Sequence, residues 1–242
     1  MRLSDSPKAS GDAQRVRRAE RILDAAGELL VSWGYRRVTI DEVARRAGVG
    51  KGTVYLHFAT KEALFLTVLM RSQLAMAERA VQRMRTDPSS VLLSNMARSA
   101  YLEVQRDPMV RAILTGDTET LGSLTRSAYE TAGELLELRE RTVDGYFDAL
   151  REHGALRTDT PRDLQRHAFT AIVMGFLLVD PILPPTGHDT GSKADSLAQV
   201  VHSAFELSDD PGPLRAAAPE VIELYQRLLD RLREEIGRRK LT

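Results

Sequence analysis

Residues 39–58, TIDEVARRAGVGKGTVYLHF, constrain the fold more than any other part of this sequence. Thr39 and Glu42 have the spacing of a capping box, in which each side chain hydrogen-bonds the other residue's backbone at the start of a helix. Gly48 is the residue type that commonly ends a helix, and only a short turn separates it from a second helical segment at Lys51. Two short helices joined by a tight turn that contains glycine predict a helix-turn-helix motif.

The apolar positions of this motif predict which side chains hold its helices together. The expected core residues are Ile40, Val43, Ala44, Val49, Val54 and Phe58. This packing leaves the start of the second helix outside, and in helix-turn-helix proteins that helix enters the major groove of DNA. Its free N–H groups and the adjacent glycines also allow close approach to a phosphate. The residues expected to face outward are Gly50, Lys51, Gly52, Thr53, Tyr55 and His57.

Elsewhere, apolar residues recur at helical spacing and no stretch alternates as a β-strand would, so we expect an all-α fold. A first helix should bury a stripe that includes Ile22, Leu30 and Trp33. A long helix should follow over residues 61–86, capped by the threonine before it. Farther along, the spacing predicts one helix over residues 125–153 and a last helix over residues 219–239.

These patterns divide the chain into a disordered tail (residues 1–12), a three-helix DNA-binding domain (13–60) and a larger helical domain (61–242). Residues 1–61 contain 12 Lys and Arg against 7 Asp and Glu, a charge of +5, whereas the remainder has a charge of −5. A basic module on an acidic body indicates a polyanion partner for the module. Four arginines form either a basic arm along the DNA or a solvated charge run: Arg15, Arg17, Arg18 and Arg21.

Composition excludes several other classes of protein. The chain has no cysteine, which excludes disulfides and thiolate metal sites. Its longest apolar run, residues 171–179, is about half of the roughly 20 residues that span a membrane. Because the N-terminus also lacks a signal-peptide core, we expect a cytoplasmic protein with no membrane partner. His202 and Glu206 are expected to form a surface pair, and catalytic motifs are missing, so we expect no enzyme activity, cofactor or metal site.

One alternative from another class is a phosphate-binding P-loop, because residues 48–53, GVGKGT, are similar to the end of that motif. A P-loop follows a buried β-strand, and its first glycine would fall at Arg45. The preceding residues are instead helical and begin with a capping box, so the required strand-loop-helix context is missing. Nucleotide binding that is lost in Lys51→Ala, together with indifference to DNA, would favour the P-loop.

The segment AGVGKGTVYLHFATKEALF resembles the signature of the tetracycline-repressor (TetR) family of bacterial regulators, and ILDAAGELLVSWGYRRVTIDEVA resembles the part before it. The resemblance covers roughly residues 15–65. It implies that the outward-facing residues named above lie against operator DNA, with Thr39 and Lys61 on flanking phosphates. One departure is Gly50, where relatives often carry a side-chain cap such as serine, and this puts one phosphate contact in doubt.

The same resemblance implies a repressor that a small-molecule effector releases from its operator, with an effector cavity between the middle helices. The alternative is a body that only dimerises, but about 180 residues is more than dimerisation of a small domain needs. The candidate lining residues, each of which could instead be ordinary core, are Met96, Tyr101, Phe147, Phe169, Met174 and Phe176.

A two-fold protein reads two half-sites about 34 Å apart, so we expect a homodimer on a palindromic operator of double-stranded DNA. The last helix has an apolar stripe that could join residues 169–178 in a four-helix bundle between two subunits. Alternatively, both stripes are buried within one subunit. The residues of the stripe in the last helix are Val221, Tyr225, Leu228, Leu229, Leu232 and Ile236.

Overall fold

The computed structural model describes residues 7–179, 182–183, 187–207 and 211–240. These residues form twelve α-helices and a short 3-10 helix at Pro88–Val91, and the described ranges contain no β-strand, so the all-α prediction is confirmed. The helices are α1 (Pro7–Arg37), α2 (Ile40–Ala47), α3 (Lys51–His57), α4 (Lys61–Thr86), α5 (Leu93–Arg106), α6 (Pro108–Thr115), α7 (Thr118–Leu121), α8 (Leu124–Thr131), α9 (Gly133–Glu152), α10 (Arg162–Leu178), α11 (Thr190–Phe205) and α12 (Pro211–Arg239).

The helix-turn-helix is built from local signals, and its capping box is present. The Thr39 backbone N–H donates to Glu42 Oε2 at 2.8 Å, and the Glu42 N–H donates to Thr39 Oγ1 at 3.3 Å. Gly48 ends α2 in the left-handed conformation, with φ of 65°, and its N–H donates to the carbonyls of Ala44 and Arg45. A residue with a side chain rarely adopts that conformation, so the glycine makes the tight turn into α3 possible.

The ends of several helices differ from the sequence predictions. Residues 7–12, expected in the disordered tail, belong to α1, while residues 1–6 lie outside the described residues. Residues 125–153, expected as one helix, form α8 and α9, which separate at Ala132 just before Gly133, a residue that disfavours helix. The last helix begins at Pro211 rather than near Pro219, which lies inside α12.

The two largest hydrophobic cores share the helix α4. The first joins α1–α3 to the N-terminal half of α4, including Leu64 and Phe65, and to residues of α6–α8 such as Leu121 and Leu124. The second core fills the body of the protein and includes Met84 from the other end of α4. One rigid helix therefore contributes to the packing of both the helix-turn-helix and the body.

The apolar stripe of α12 faces its own subunit. Val221, Leu229 and Leu232 are almost fully buried, and α12 packs along α4 and α9. The prediction that this stripe meets a second subunit is therefore wrong, and the alternative of burial within one subunit describes α12. An amphipathic pattern requires only that the apolar face be covered, and the same chain covers it here.

Candidate DNA-binding surface and ligand cavity

The first half of α3 is an exposed surface on a buried base. Val54 and Phe58 have at most 1% of their surface exposed and attach α3 to α1 and α2. Lys51 and Gly52 are exposed, and Tyr55 is 44% exposed. Thr53 is partly buried. Gly50 is exposed and is the N-cap of α3, without a side-chain hydrogen bond. A helix N-terminus with free N–H groups and projecting polar side chains suits contact with a polyanion.

The charge at this surface is carried by Lys51, whose ammonium lies 2.8 Å from Asp41 Oδ2. Hydrogen bonding to that carboxylate raises the pKa of Lys51, so the side chain is charged at neutral pH. Both partners are exposed, and an exposed pair of this kind contributes little to stability. Lys51 can therefore exchange Asp41 for a phosphate at small cost.

His57 is not part of the exposed surface, which corrects the prediction that it faces outward. It is only 3% exposed and packs on Phe58, with 6.4 Å between the ring centroids. Burial lowers the pKa of His57, and the positive charges of Arg15 and Arg18 lower it further, so the ring is neutral at pH 7. His57 is a core residue of the motif.

Sequence reasoning missed Leu56, which is 67% exposed on the same side of α3 as Gly52 and Tyr55. Its position four residues after Gly52 is the signal that could have identified it, because residues four apart share a helix face. An exposed apolar side chain beside Tyr55 can contact thymine methyl groups in the major groove.

The two flanking residues already have partners in the protein. The Thr39 side chain is exposed and serves as the cap of α2. The Lys61 ammonium donates to the Tyr35 carbonyl at 2.7 Å and lies 4.3 Å from the centroid of the Tyr35 ring. Burial lowers the pKa of Lys61. Lys61 thus joins the start of α4 to the end of α1, and its contact with phosphate stays a prediction.

The body contains a cavity of about 340 Å³. Its wall is formed by residues of α4, α5, α6, α8, α9, α10 and α12, mostly Leu, Met, Ala and Phe side chains. Four of the six predicted lining residues are on this wall: Met96, Phe147, Phe169 and Met174. The other two are not, because Tyr101 is 1% exposed inside the core and Phe176 packs against that core instead.

Most polar groups on the cavity wall are paired within the protein. Arg83 Nη1 lies 2.8 Å from Glu103 Oε1, and Arg166 pairs with Asp144 at 2.6 Å and with Glu140. The hydroxyls of the two threonines on the wall donate to carbonyls of their own helices. Sequence reasoning identified none of the polar wall residues, because they come from different helices and no motif links them.

None of the helices that the structure describes combines the length and the apolarity needed to cross a membrane.

Comparison with known proteins agrees with this arrangement. Residues 22–68 match the family model described as bacterial regulatory proteins, tetR family. The chain is 28% identical to the uncharacterized HTH-type transcriptional regulator YhgD of Bacillus subtilis, over 57% of this chain and 70% of that protein. It is 25% identical to the HTH-type transcriptional repressor BepR of Brucella suis, over 68% and 81%.

Among solved structures, the fold is similar to that of NalD, the secondary repressor of a multidrug efflux pump in Pseudomonas aeruginosa. The TM-score is 0.57 at 23% identity, and the alignment covers 82% of this chain and all of NalD. For the curated relatives, the matched part spans from 21% to 81% of the relative's length.

Proposed function

The chain belongs to the TetR family of bacterial regulatory proteins, and we propose that it is a homodimeric repressor that leaves its operator when a small molecule fills the cavity. The observation that carries this proposal is the exposed first half of α3, with Lys51 and Tyr55 projecting from a buried three-helix base. The relatives BepR and NalD are both named as repressors, which supports repression here. This function would place the protein in the cytoplasm, together with the DNA that it binds.

The helix α4 offers a route from the cavity to DNA. Leu69, Gln73 and Ala80 of α4 are on the cavity wall, while Phe65 of the same helix is fully buried in the core of the helix-turn-helix. A second route is α12, which lines the cavity and whose following residue Lys240 pairs with Glu20 of α1 at 2.6 Å. A ligand that binds more tightly to a conformation in which these helices are tilted differently changes the separation of the two α3 helices in a dimer. Because the ligand has different affinities for the two conformations, it shifts the protein away from the one that binds DNA and weakens DNA binding.

The dimer is proposed to form through α10 and α11, which pack against each other. One face of α10 is exposed and carries mostly small or apolar side chains at positions three or four residues apart, with the exposed His167 at its border. On α11, Val200 and Ala204 are exposed beside Ser196 and Ser203. A second copy meeting this surface would form a four-helix bundle. The α10 residues of this face are Leu164, Ala168, Ala171, Gly175 and Leu178.

We expect Ala171→Glu, at the centre of this face, to convert the dimer to a monomer, because a like charge from each subunit would be buried close to the two-fold axis. Sedimentation equilibrium measures the change in mass. Tyr129→Glu is the matched control, since Tyr129 is a 69% exposed apolar residue on α8, away from this face. A dimer that survives in Ala171→Glu would place the interface elsewhere.

Footprinting on the DNA that flanks the protein's own gene, repeated over a range of salt concentrations, tests the function. We expect protection of two symmetric half-sites separated by about 34 Å or a multiple of it, with affinity that falls as salt rises. If no DNA is protected and the protein binds a nucleotide through Lys51, the proposed function is wrong and the P-loop hypothesis is favoured instead.

A further inference from the structure

The cavity wall carries more positive charge than its acidic residues neutralise. Of its three arginines, Arg83 is paired with Glu103, and Arg166 is paired with two carboxylates. The third, Arg139 of α9, forms no ion pair or hydrogen bond with any residue that the structure describes. It is also exposed, which places it where the cavity opens to solvent. This opening therefore presents one uncompensated positive charge.

Tyr225 of α12 lies on the same wall and has an unused polar group. Its ring packs edge-on against Tyr146, with 6.2 Å between centroids, but its hydroxyl has no hydrogen-bond partner within the described part of the chain. Burial raises the pKa of Tyr225 to about 12, although the nearby charges of Arg139 and Arg83 act in the opposite direction. The hydroxyl therefore keeps its proton and is able to donate it in a hydrogen bond.

We propose that the effector is a single-chain amphiphile whose anionic oxygen head group, a carboxylate or a phosphate, binds Arg139 and the Tyr225 hydroxyl while its apolar chain fills the cavity. This inference rests on the proposed function, because it names the chemical class of ligand for the same cavity. Arg139 supplies the charge, and Tyr225 supplies a directional donor on the same wall.

Other ligand classes fit the wall less well. A cationic ligand would need a carboxylate, and the one on the wall, Glu103, is already bound by Arg79 and Arg83. A purely apolar ligand would separate the Tyr225 hydroxyl from water and leave it without a partner, which costs about 1–3 kcal/mol. An anionic head group needs no carboxylate on the wall, and it accepts a hydrogen bond from the Tyr225 hydroxyl. Most of the remaining wall consists of Leu, Met, Ala and Phe side chains, which suit an alkyl chain.

Calorimetry with dodecanoate, dodecyl phosphate and 1-dodecanol tests the head group, because the three probes share one chain. We expect at least one of the two anions to bind the wild-type protein about tenfold more tightly than the alcohol does. Arg139→Ala should remove most of that difference, and Tyr225→Phe should reduce it several-fold. The matched control is Arg141→Ala, which removes an exposed arginine of α9 that pairs with Glu137 and is not on the wall.

The outcomes separate this inference from the proposed function. If the alcohol binds as tightly as both anions, if no probe binds, or if Arg141→Ala and Arg139→Ala behave alike, the head-group assignment is wrong. Release of operator DNA is measured separately, by titrating the tightest probe into the protein–DNA complex. Selective binding of an anion without any release of DNA would support the ligand class and contradict the effector switch.

Discussion

Tyr55→Ala lowers the affinity for operator DNA by about tenfold or more, because a residue that contacts base edges contributes roughly 1–3 kcal/mol to specific binding. Tyr55 is 44% exposed and three residues beyond Gly52, so it projects from the part of α3 that we propose enters the groove. The fold should be unaffected, since the side chain contributes little to the buried core. Fluorescence anisotropy with a footprinted operator fragment measures the change.

Two comparisons make the test specific. Tyr129→Ala removes an exposed tyrosine of α8, outside the proposed DNA-binding surface of α3, and it should leave operator affinity unchanged. Lys51→Ala should weaken binding to all DNA sequences alike and reduce the slope of log affinity against log salt by about 1. If Tyr55→Ala and Lys51→Ala both bind operator as the wild type does, α3 is not the recognition helix.

The sequence predicts the helix-turn-helix well because its signals are local. The bond between Thr39 and Glu42 and the left-handed turn at Gly48 depend on residues at most a few positions apart. The misplacement of His57 has a different origin. His57 is three residues after the buried Val54, so helical spacing places it on the inner face of α3, and the set of core residues expected from the sequence left it out.

The packing of the body is less predictable, because a stripe of apolar residues does not indicate which helix or which subunit packs against it. The stripe on α12 is covered by α4 and α9 of the same subunit, while the exposed small residues of α10 are left uncovered. Tyr101 and Phe147 look equivalent in the sequence, yet only Phe147 is on the cavity wall. Arg139 and Tyr225, which are far apart in the sequence, are brought to one wall only by the packing of α9 against α12.

Trp33 also shows the limit of periodicity, because it is 41% exposed although it was predicted on the buried stripe of α1. Gly34 follows it with φ of 72° and ψ of 157°, which interrupts the helix at the residue that was expected to end it. The next residue, Tyr35, is buried instead and packs edge-on against Phe65, with 5.5 Å between ring centroids. At the end of α1, Tyr35 rather than Trp33 is therefore the aromatic residue that packs into the core.

Gly34→Ala is therefore expected to destabilise the protein strongly. The backbone at this position is in a region that essentially only glycine adopts, and a Cβ atom would lie 2.7 Å from the carbonyl oxygen of Glu119 in α7. Because that oxygen belongs to the backbone, a side-chain rotation cannot relieve the clash. Strain and clash together should lower the free energy of unfolding by about 2–4 kcal/mol.

Urea denaturation followed by circular dichroism measures this loss, with Gly237→Ala as the control. Gly237 lies in α12, and a Cβ there meets nothing within 4 Å, so alanine should be neutral or stabilise by up to about 1 kcal/mol through its higher helix propensity. Equal stability of Gly34→Ala and the wild type would contradict the kinked geometry at the end of α1. Since Tyr35 and its carbonyl contact with Lys61 follow directly after Gly34, the destabilised protein should also lose operator affinity, as α1 no longer holds the start of α4 in place.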